Sequence, residues 1–418
     1  MKFFDYRLGI TISLLICFGL VALSSAASGA FFLKQLIYLP ICLILIFISY
    51  YFFSLNFYKK AAYLIYWLNI ILLIVLKFFG TTQLGSQRWL SLGPINVQPS
   101  ELAKICLIIF LAEILSKKEV RNYFDIIKIF TYISLPSLLV LIQPDLGTTL
   151  VYIAISFGML FWAGASLIQI LILVSPIVVA ICSSIGLEIF TYQNAFLNVH
   201  LTLPALIFLI AFSITLSIYY KVWDSPFKTM GAMTLIFINI LSILYRPMIW
   251  GLLKEYQQKR LTIFLDPYSD PLGAGYHIIQ SLYTIGSGGF FGAGLHHGDL
   301  SQGNFVPEQH TDFIFSLIGE ELGFIGTFVV VFLFCLLCIQ IILRAKNSKN
   351  RFNSLLAVGI FSMFIFHIFV NIGMNLSLMP ITGVPLPYMS YGGTSLLVNL
   401  FLISLVAKVY TENQKTSL

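Results

Sequence analysis

The chain has 418 residues, 59% of them hydrophobic and only 10% charged, with Lys and Arg in excess to give a formal net charge of +7. A mean hydropathy of +0.93, carried by repeated apolar runs of about 20 residues, is what crossing a hydrocarbon layer roughly 30 Å thick demands. That excludes a soluble globular protein, and the basic surplus sits in short loops, where it meets anionic lipid and not nucleic acid.

Backbone in lipid has to hydrogen-bond within its own segment, and these runs are too long for barrel strands, so the fold class is an all-α polytopic membrane bundle. In chain order the first run, 9–27, has the basic flank and small residues of a secretory signal; because Lys34 and a second run, 34–55, follow at once, it is expected to stay as an uncleaved helix. The third run is 61–79, and the polar stretch "GSQRWLSLGPINVQPSELAK" (85–104) leads into a short fourth, 102–116. The fifth, 124–142, is interrupted by Pro136, and "QPDLGTT" (143–149) opens the sixth, 146–163. Runs at 166–188, 200–220 and 230–252 precede residues 253–311, the longest non-spanning segment. The run 312–343 is long enough to require tilt or a start outside the bilayer, and 354–375 and 393–411 complete about twelve spans. Six cysteines lie inside apolar runs and read as small core hydrophobes; Cys335 and Cys338 have no second pair or nearby His to make a metal site.

Lys2, Arg7, Lys59, Lys60, Lys117, Lys118, Arg121, Lys221, Lys228, Arg344, Lys346, Lys349, Arg351, Lys408 and Lys415 fall on one side, which is expected to be cytoplasmic together with both termini. Segment 253–311 is then extracytoplasmic. There, "YSDPLGAGYH" places Asp270 before Pro271, Gly273 and Gly275, which favour a fixed turn over a helix; an Asp in this setting also caps turns, and Asp266 is a rival carboxylate. Glu101 and Lys104 stand three apart behind Pro99 and Ser100, so a helix starting there puts them on one face as an ion pair. Asp145 has the position of a helix cap. Glu320 and Glu321 fall about ten residues into an apolar helix and need partners, while Gly319 and Gly323 have the spacing of close helix packing. "GSGGFFGAGLHHG" lacks the spacing of a dinucleotide or phosphate loop, and His296 and His297 read as loop residues.

"RWLSLGPINVQPSELAK", "IQPDLGT", "DPLGAGYHIIQS", "FVPEQHTDFIFSLIGEELG" and "GVPLPYMSYGGTSLL", in this order, resemble the SEDS family (shape, elongation, division and sporulation) over nearly the whole chain, with "GYHIIQS", "NIGM" and "GVPLP" inclining toward its elongation branch. The resemblance implies a single integral domain, a SEDS-type helical bundle. It departs from the family's usual ten spans by a two-helix insertion at about 188–229. It implies a peptidoglycan glycosyltransferase of the bacterial cytoplasmic membrane that polymerises lipid II outside the cell and releases undecaprenyl diphosphate. Asp270 becomes the catalytic carboxylate, acting as general base on the attacking sugar hydroxyl. Glu101, Lys104 and Asp145 line the central cavity, and Arg88, Lys104, Lys259 and Arg260 are the outer-face cations for the diphosphate; Lys259 and Arg260 read equally as a solvated run. No soluble cofactor is indicated, and a divalent cation at the diphosphate stays open. The implied partners are a class B penicillin-binding protein with transpeptidase activity and other elongation-complex membrane proteins. Intramembrane charges and broken helices also suit a lipid flippase or transporter, against which stands the absence of a convincing internal repeat. A scaffold that only positions a partner is the third reading.

Overall fold

The computed structural model describes residues 5–26, 29–83, 86–92, 95–120, 123–167, 169–170, 174–175, 241, 245–251 and 253–415. These fall in two compact units, Met1–Ala165 with Tyr276–Leu418, and Ser166–Gly275. The runs expected at 166–188 and 230–252 lie outside the described residues except for a few positions. The run at 200–220 and the two-helix insertion at 188–229 lie wholly outside them.

In the first unit the helices are α1 (Tyr6–Ser25), α2 (Gly29–Phe52), α3 (Leu55–Phe79), α4 (Pro99–Lys117), α5 (Tyr123–Ile142) and α6 (Leu146–Trp162). Asp5 caps α1 through Leu8 N (3.3 Å), and Ser54 caps α3 through Phe57 N (3.2 Å). The second unit contains Arg246–Gly251 and α7 (Glu255–Leu265). The first unit resumes with α8 (Tyr276–Ser287), a short helix Asp299–Gln302, α9 (Ile314–Lys346), α10 (Arg351–Asn375) and α11 (Gly393–Lys415). Among the described residues seven helices are long and apolar enough to cross a membrane, namely α1, α2, α3, α5, α9, α10 and α11, and α6 is a shorter apolar helix. The chain is an integral membrane protein of helical class. Helices α10 and α11 are the most buried and α2 the least, which places α2 at the periphery.

Close approach in the core depends on small residues. A Cβ on Gly158 of α6 would fall 1.8 Å from Ser362 Oγ on α10, and one on Gly359 of α10 would fall 2.7 Å from Met159 Sδ. With no hydrophobic force separating helix from lipid, such contact supplies the packing energy.

The structure differs from the expected pattern in three places. Between α3 and α4 the chain forms a three-stranded antiparallel sheet, β1 (Thr81–Gln83), β2 (Ser86–Leu92) and β3 (Ile95–Val97), in the order β1-β2-β3. Its outer strands have only three residues each, too few for a period-2 pattern to emerge. Pro136 does not interrupt α5. The N–H it lacks leaves the Tyr132 carbonyl free, and Tyr66 OH on α3 donates to that carbonyl at 2.7 Å. The long run at 312–343 is broken inside: Gly323 has φ 63° and ψ −161°, so α9 is two helices meeting at a kink.

That backbone geometry is essentially restricted to glycine and costs another residue about 1–3 kcal/mol. A Cβ there would also meet Gly292 N at 2.3 Å. Gly323→Ala is expected to melt well below the parent in detergent. Gly286→Ala, whose Cβ meets nothing within 4 Å, serves as the control; equal melting of the two variants would contradict the kink geometry.

Candidate functional site

Helix α4 begins at Pro99, whose missing N–H suits a first turn, and carries Glu101 near its positive end. One turn on, Lys104 Nζ lies 2.5 Å from Glu101 Oε1. The two residues are 1% (Lys104) and 5% (Glu101) exposed, so each charge needs the other. Lys104 Nζ is also 3.2 Å from His367 Nε2 on α10, and His367 Nδ1 is 3.0 Å from the Pro385 carbonyl. A carbonyl only accepts, so Nδ1 carries the proton and Nε2 accepts from the ammonium; the imidazole is neutral. Glu101 Oε2 is buried without a hydrogen-bond partner among the described residues.

Asp145 caps α6. Its carboxylate accepts from Thr148 N (3.1 Å), Thr148 Oγ1 (2.9 Å) and Gln98 Nε2 (3.3 Å). Gln98 immediately precedes α4, and Tyr152 OH on α6 donates to Ser100 O on α4 at 2.8 Å, so the N-termini of α4 and α6 lie side by side. Arg88, on β2, reaches the turn before Asp145: Nε donates to Gln143 O at 3.2 Å and Nη2 to Pro144 O. Arg88, Glu101, Lys104 and Asp145 are therefore brought into one neighbourhood.

Lys259, Arg260 and Asp270 belong to the second unit. Lys259 and Arg260 are exposed on α7, Arg260 lying 5.6 Å over the Tyr256 ring. A 3-10 turn, Pro267–Ser269, carries the chain from Asp266 to Asp270. The exposed Asp270 carboxylate accepts Ala274 N on Oδ2 at 3.0 Å, and its carbonyl accepts Gly275 N at 3.0 Å. Gly275 is required by space, since a Cβ there would fall 2.0 Å from Pro267 O, whereas a Cβ on Gly273 would fall 2.2 Å from Asp270 Oδ2 and push that carboxylate out of its place.

The deep acids find partners. Glu320 accepts Leu300 N (2.8 Å) and Ser301 N (2.9 Å), and Glu321 accepts His296 N (3.2 Å) and Ser25 Oγ. The spacing of Gly319 also serves packing, since its Cβ would touch Ile285 of α8 at 3.1 Å. His310, in the polar stretch before α9, stacks on Phe31 with ring centroids 3.8 Å apart. Burial lowers its pKa, opposed by Glu308. Sequence reasoning missed His367, Asn371 and Asn375. Asn371 Nδ2 donates to Asp312 O (3.0 Å) and Val384 O (2.8 Å), and Asn375 Nδ2 to Asp312 O (3.1 Å). The available signal was polarity: three hydrogen-bonding side chains, four residues apart, inside an otherwise apolar span.

A helical bundle with seven helices long and apolar enough to cross a membrane among the described residues, and a buried ion pair within it, defines a polytopic membrane protein with polar groups built into its bundle. The chain matches the "Cell cycle protein" family of FtsW, RodA and SpoVE over residues 5–202 and 210–415. It is 33% identical over 430 residues to the peptidoglycan glycosyltransferase RodA of Treponema pallidum (strain Nichols), covering 97% of each chain. To the peptidoglycan glycosyltransferase MrdB of Escherichia coli (strain K12) it is 32% identical over 366 residues, covering 86% of this chain and 80% of that one. A solved chain from a peptidoglycan synthase complex that coordinates polymerization and crosslinking superposes with a TM-score of 0.69 at 28% identity, covering 98% of both chains. The Thermus thermophilus rod shape determining protein RodA shares the fold, with a TM-score of 0.62 at 24% identity over 98% of this chain and 97% of that one. The chain belongs to the FtsW, RodA and SpoVE family, the SEDS family.

Removing one partner of a buried ion pair costs about 3–5 kcal/mol, because a lone charge remains in low dielectric. Lys104→Met is expected to lower the melting temperature and the yield of monodisperse protein, and Glu101→Gln added to it is expected to restore much of both. A double variant no more stable than Lys104→Met would show that the pair is not the source of the loss.

Proposed function

We propose that Asp270 is the general base with which this peptidoglycan glycosyltransferase joins lipid II units into glycan strands for cell elongation. The observation that carries the reading is the turn itself: an exposed carboxylate held through Oδ2 by the Ala274 N–H, while Oδ1 takes no hydrogen bond from any described residue. Such an oxygen is available to a sugar hydroxyl.

In the proposed step the hydroxyl oxygen of one lipid II bonds to the anomeric carbon of another, and its proton passes to Asp270. The bond from the anomeric carbon to the diphosphate oxygen breaks, and the electron pair leaves with undecaprenyl diphosphate. Because the leaving group departs as a stabilised anion, charge stabilisation matters more than protonation, and one carboxylate suffices where a glycosidase uses two.

Cations are weighted by what already neutralises them. Lys104 is paired with a carboxylate, so little of its field remains for a diphosphate. Arg88 donates to neutral carbonyls and keeps its full charge. Lys259 and Arg260 are exposed on the helix leading into the Asp270 turn. Lys259 and Arg260, close in sequence to the Asp270 turn, and Arg88, in the first unit, are accordingly the proposed diphosphate contacts, with Glu101, Lys104 and Asp145 as further proposed substrate-binding residues. The distribution of Lys and Arg supports a bacterial cytoplasmic membrane location with both termini inside and Asp270 outside. The likeness to a chain from a polymerising and crosslinking complex supports a class B penicillin-binding protein as partner.

Purified protein supplied with lipid II in detergent or liposomes is expected to make glycan strands. Asp270→Asn should lower the rate by about 100-fold or more, the share typical of a general base, with unchanged melting, while Asp266→Asn keeps most activity. Movement of lipid II between leaflets without polymer would replace this reading with a flippase.

Gly273→Ala tests the geometry separately. Its Cβ cannot coexist with the carboxylate at 2.2 Å, so the rate is expected to fall while the exposed turn leaves melting unchanged. Full activity in this variant would remove the Asp270 geometry from the mechanism.

A further inference from the structure

The kink at Gly323 leaves backbone groups of α9 without helical partners, and the glycine-rich segment between α8 and Asp299–Gln302 supplies them. Phe324 N donates to Gly289 O (3.0 Å) and Ile325 N to Phe290 O (3.3 Å). In the other direction Ala293 N donates to Glu320 O (2.9 Å) and Gly294 N to Glu321 O (3.0 Å). The two backbones are so close that a Cβ on Gly292 would fall 2.2 Å from Glu321 O. Segment 289–294 is thereby fixed at the level of a break within a helix long and apolar enough to cross a membrane. Non-helical backbone within a bilayer is tolerated only where protein satisfies it, and these four hydrogen bonds do so.

The side chains of this segment do not follow its backbone into the protein. Phe290 is 58% and Phe291 79% exposed. Their rings are 5.1 Å apart, and Phe290 stacks on Phe324 at 5.6 Å. Phe324, Phe328 and Phe332, one helical turn apart, are all exposed, and Ile339 and Leu343 continue the same apolar face along α9. An exposed face of that length on a membrane helix meets hydrocarbon, and the two loop phenylalanines extend it sideways without a gap.

We propose that residues 288–294 form a re-entrant membrane element, with Phe290 and Phe291 seated among the acyl chains of the leaflet that surrounds the first half of α9. The occupant of this surface is bilayer hydrocarbon. The segment most conspicuous for its glycines thus acts as a lipid anchor, one that ties the chain between α8 and α9 to the membrane at the kink. The inference is independent of the role of Asp270.

The test is collision accessibility of a nitroxide at Phe291→Cys, in full-length protein lacking its six native cysteines and reconstituted in phosphatidylcholine and phosphatidylglycerol liposomes. Phe328→Cys serves as the lipid reference and Asn347→Cys, in the turn between α9 and α10, as the water reference. The expected ratio of oxygen to nickel-chelate accessibility at position 291 matches position 328 and exceeds position 347 several-fold. A ratio like that of position 347 would place the loop in water and overturn the proposal. Low accessibility to both reagents would mean that protein covers the ring, and would overturn it equally. The same label at Phe290→Cys gives a second reading should the first variant fail to reconstitute.

Discussion

The bilayer offers no water to a stray N–H or C=O, and this single constraint accounts for several of the polar side chains in the bundle. At several places where a helix stops being regular, another group completes it. At Pro136 the freed carbonyl of Tyr132 is taken by Tyr66 OH. At Gly323 the orphaned groups are taken by segment 289–294. Between α10 and α11 the chain runs without regular structure, and Asn371 holds Val384 O while Ser390 Oγ accepts Leu386 N and donates to Thr311 O. Polar residues in an apolar span are costly, so their presence marks where backbone regularity has been given up.

Charge obeys the same logic. Glu101, Lys104 and His367 form a group whose net charge is zero, because the imidazole proton is committed to the Pro385 carbonyl and the carboxylate and ammonium cancel. That arrangement explains how a lysine 1% exposed can persist beside apolar neighbours, and also why it is poorly suited to attract a diphosphate. Arg88, which among the described residues donates to carbonyls, has the opposite property. Two cations that look equivalent as letters differ in the field they present.

Much of this was legible in the sequence, for identifiable reasons. Spans announce themselves because hydrocarbon thickness sets a length, and the edges of α6 and α10 fall within a few residues of the hydropathic runs. The Asp270 turn was legible because its determinants are close in sequence: a Cβ on Gly273 or Gly275 would meet atoms three to eight residues away. What escaped was decided by distant contacts. Nothing in "GEELG" says that Gly323 breaks the helix; the break is stabilised by a segment some thirty residues earlier in the chain. The sheet β1–β3 is too short for its pattern to stand out. The importance of His367 appears only when α4 is laid against α10 and the Pro385 carbonyl fixes its tautomer.

The acids of the first unit and Asp270 differ in how completely they are occupied. Helices α4 and α6 begin side by side, bringing two positive helix ends together, a juxtaposition that favours negative charge. Glu101 in the first turn of one and Asp145 at the cap of the other supply it, and Asp145 is engaged by three donors. Each acid stabilises the start of a helix whatever else it does, so a loss of activity on replacing either is not evidence that it touches substrate. Asp270 has one N–H from Ala274 and an exposed position, and the structure asks little of it. A carboxylate with so small a part in holding the fold, kept in place by glycines that make room for it, is the one whose replacement can report on chemistry alone.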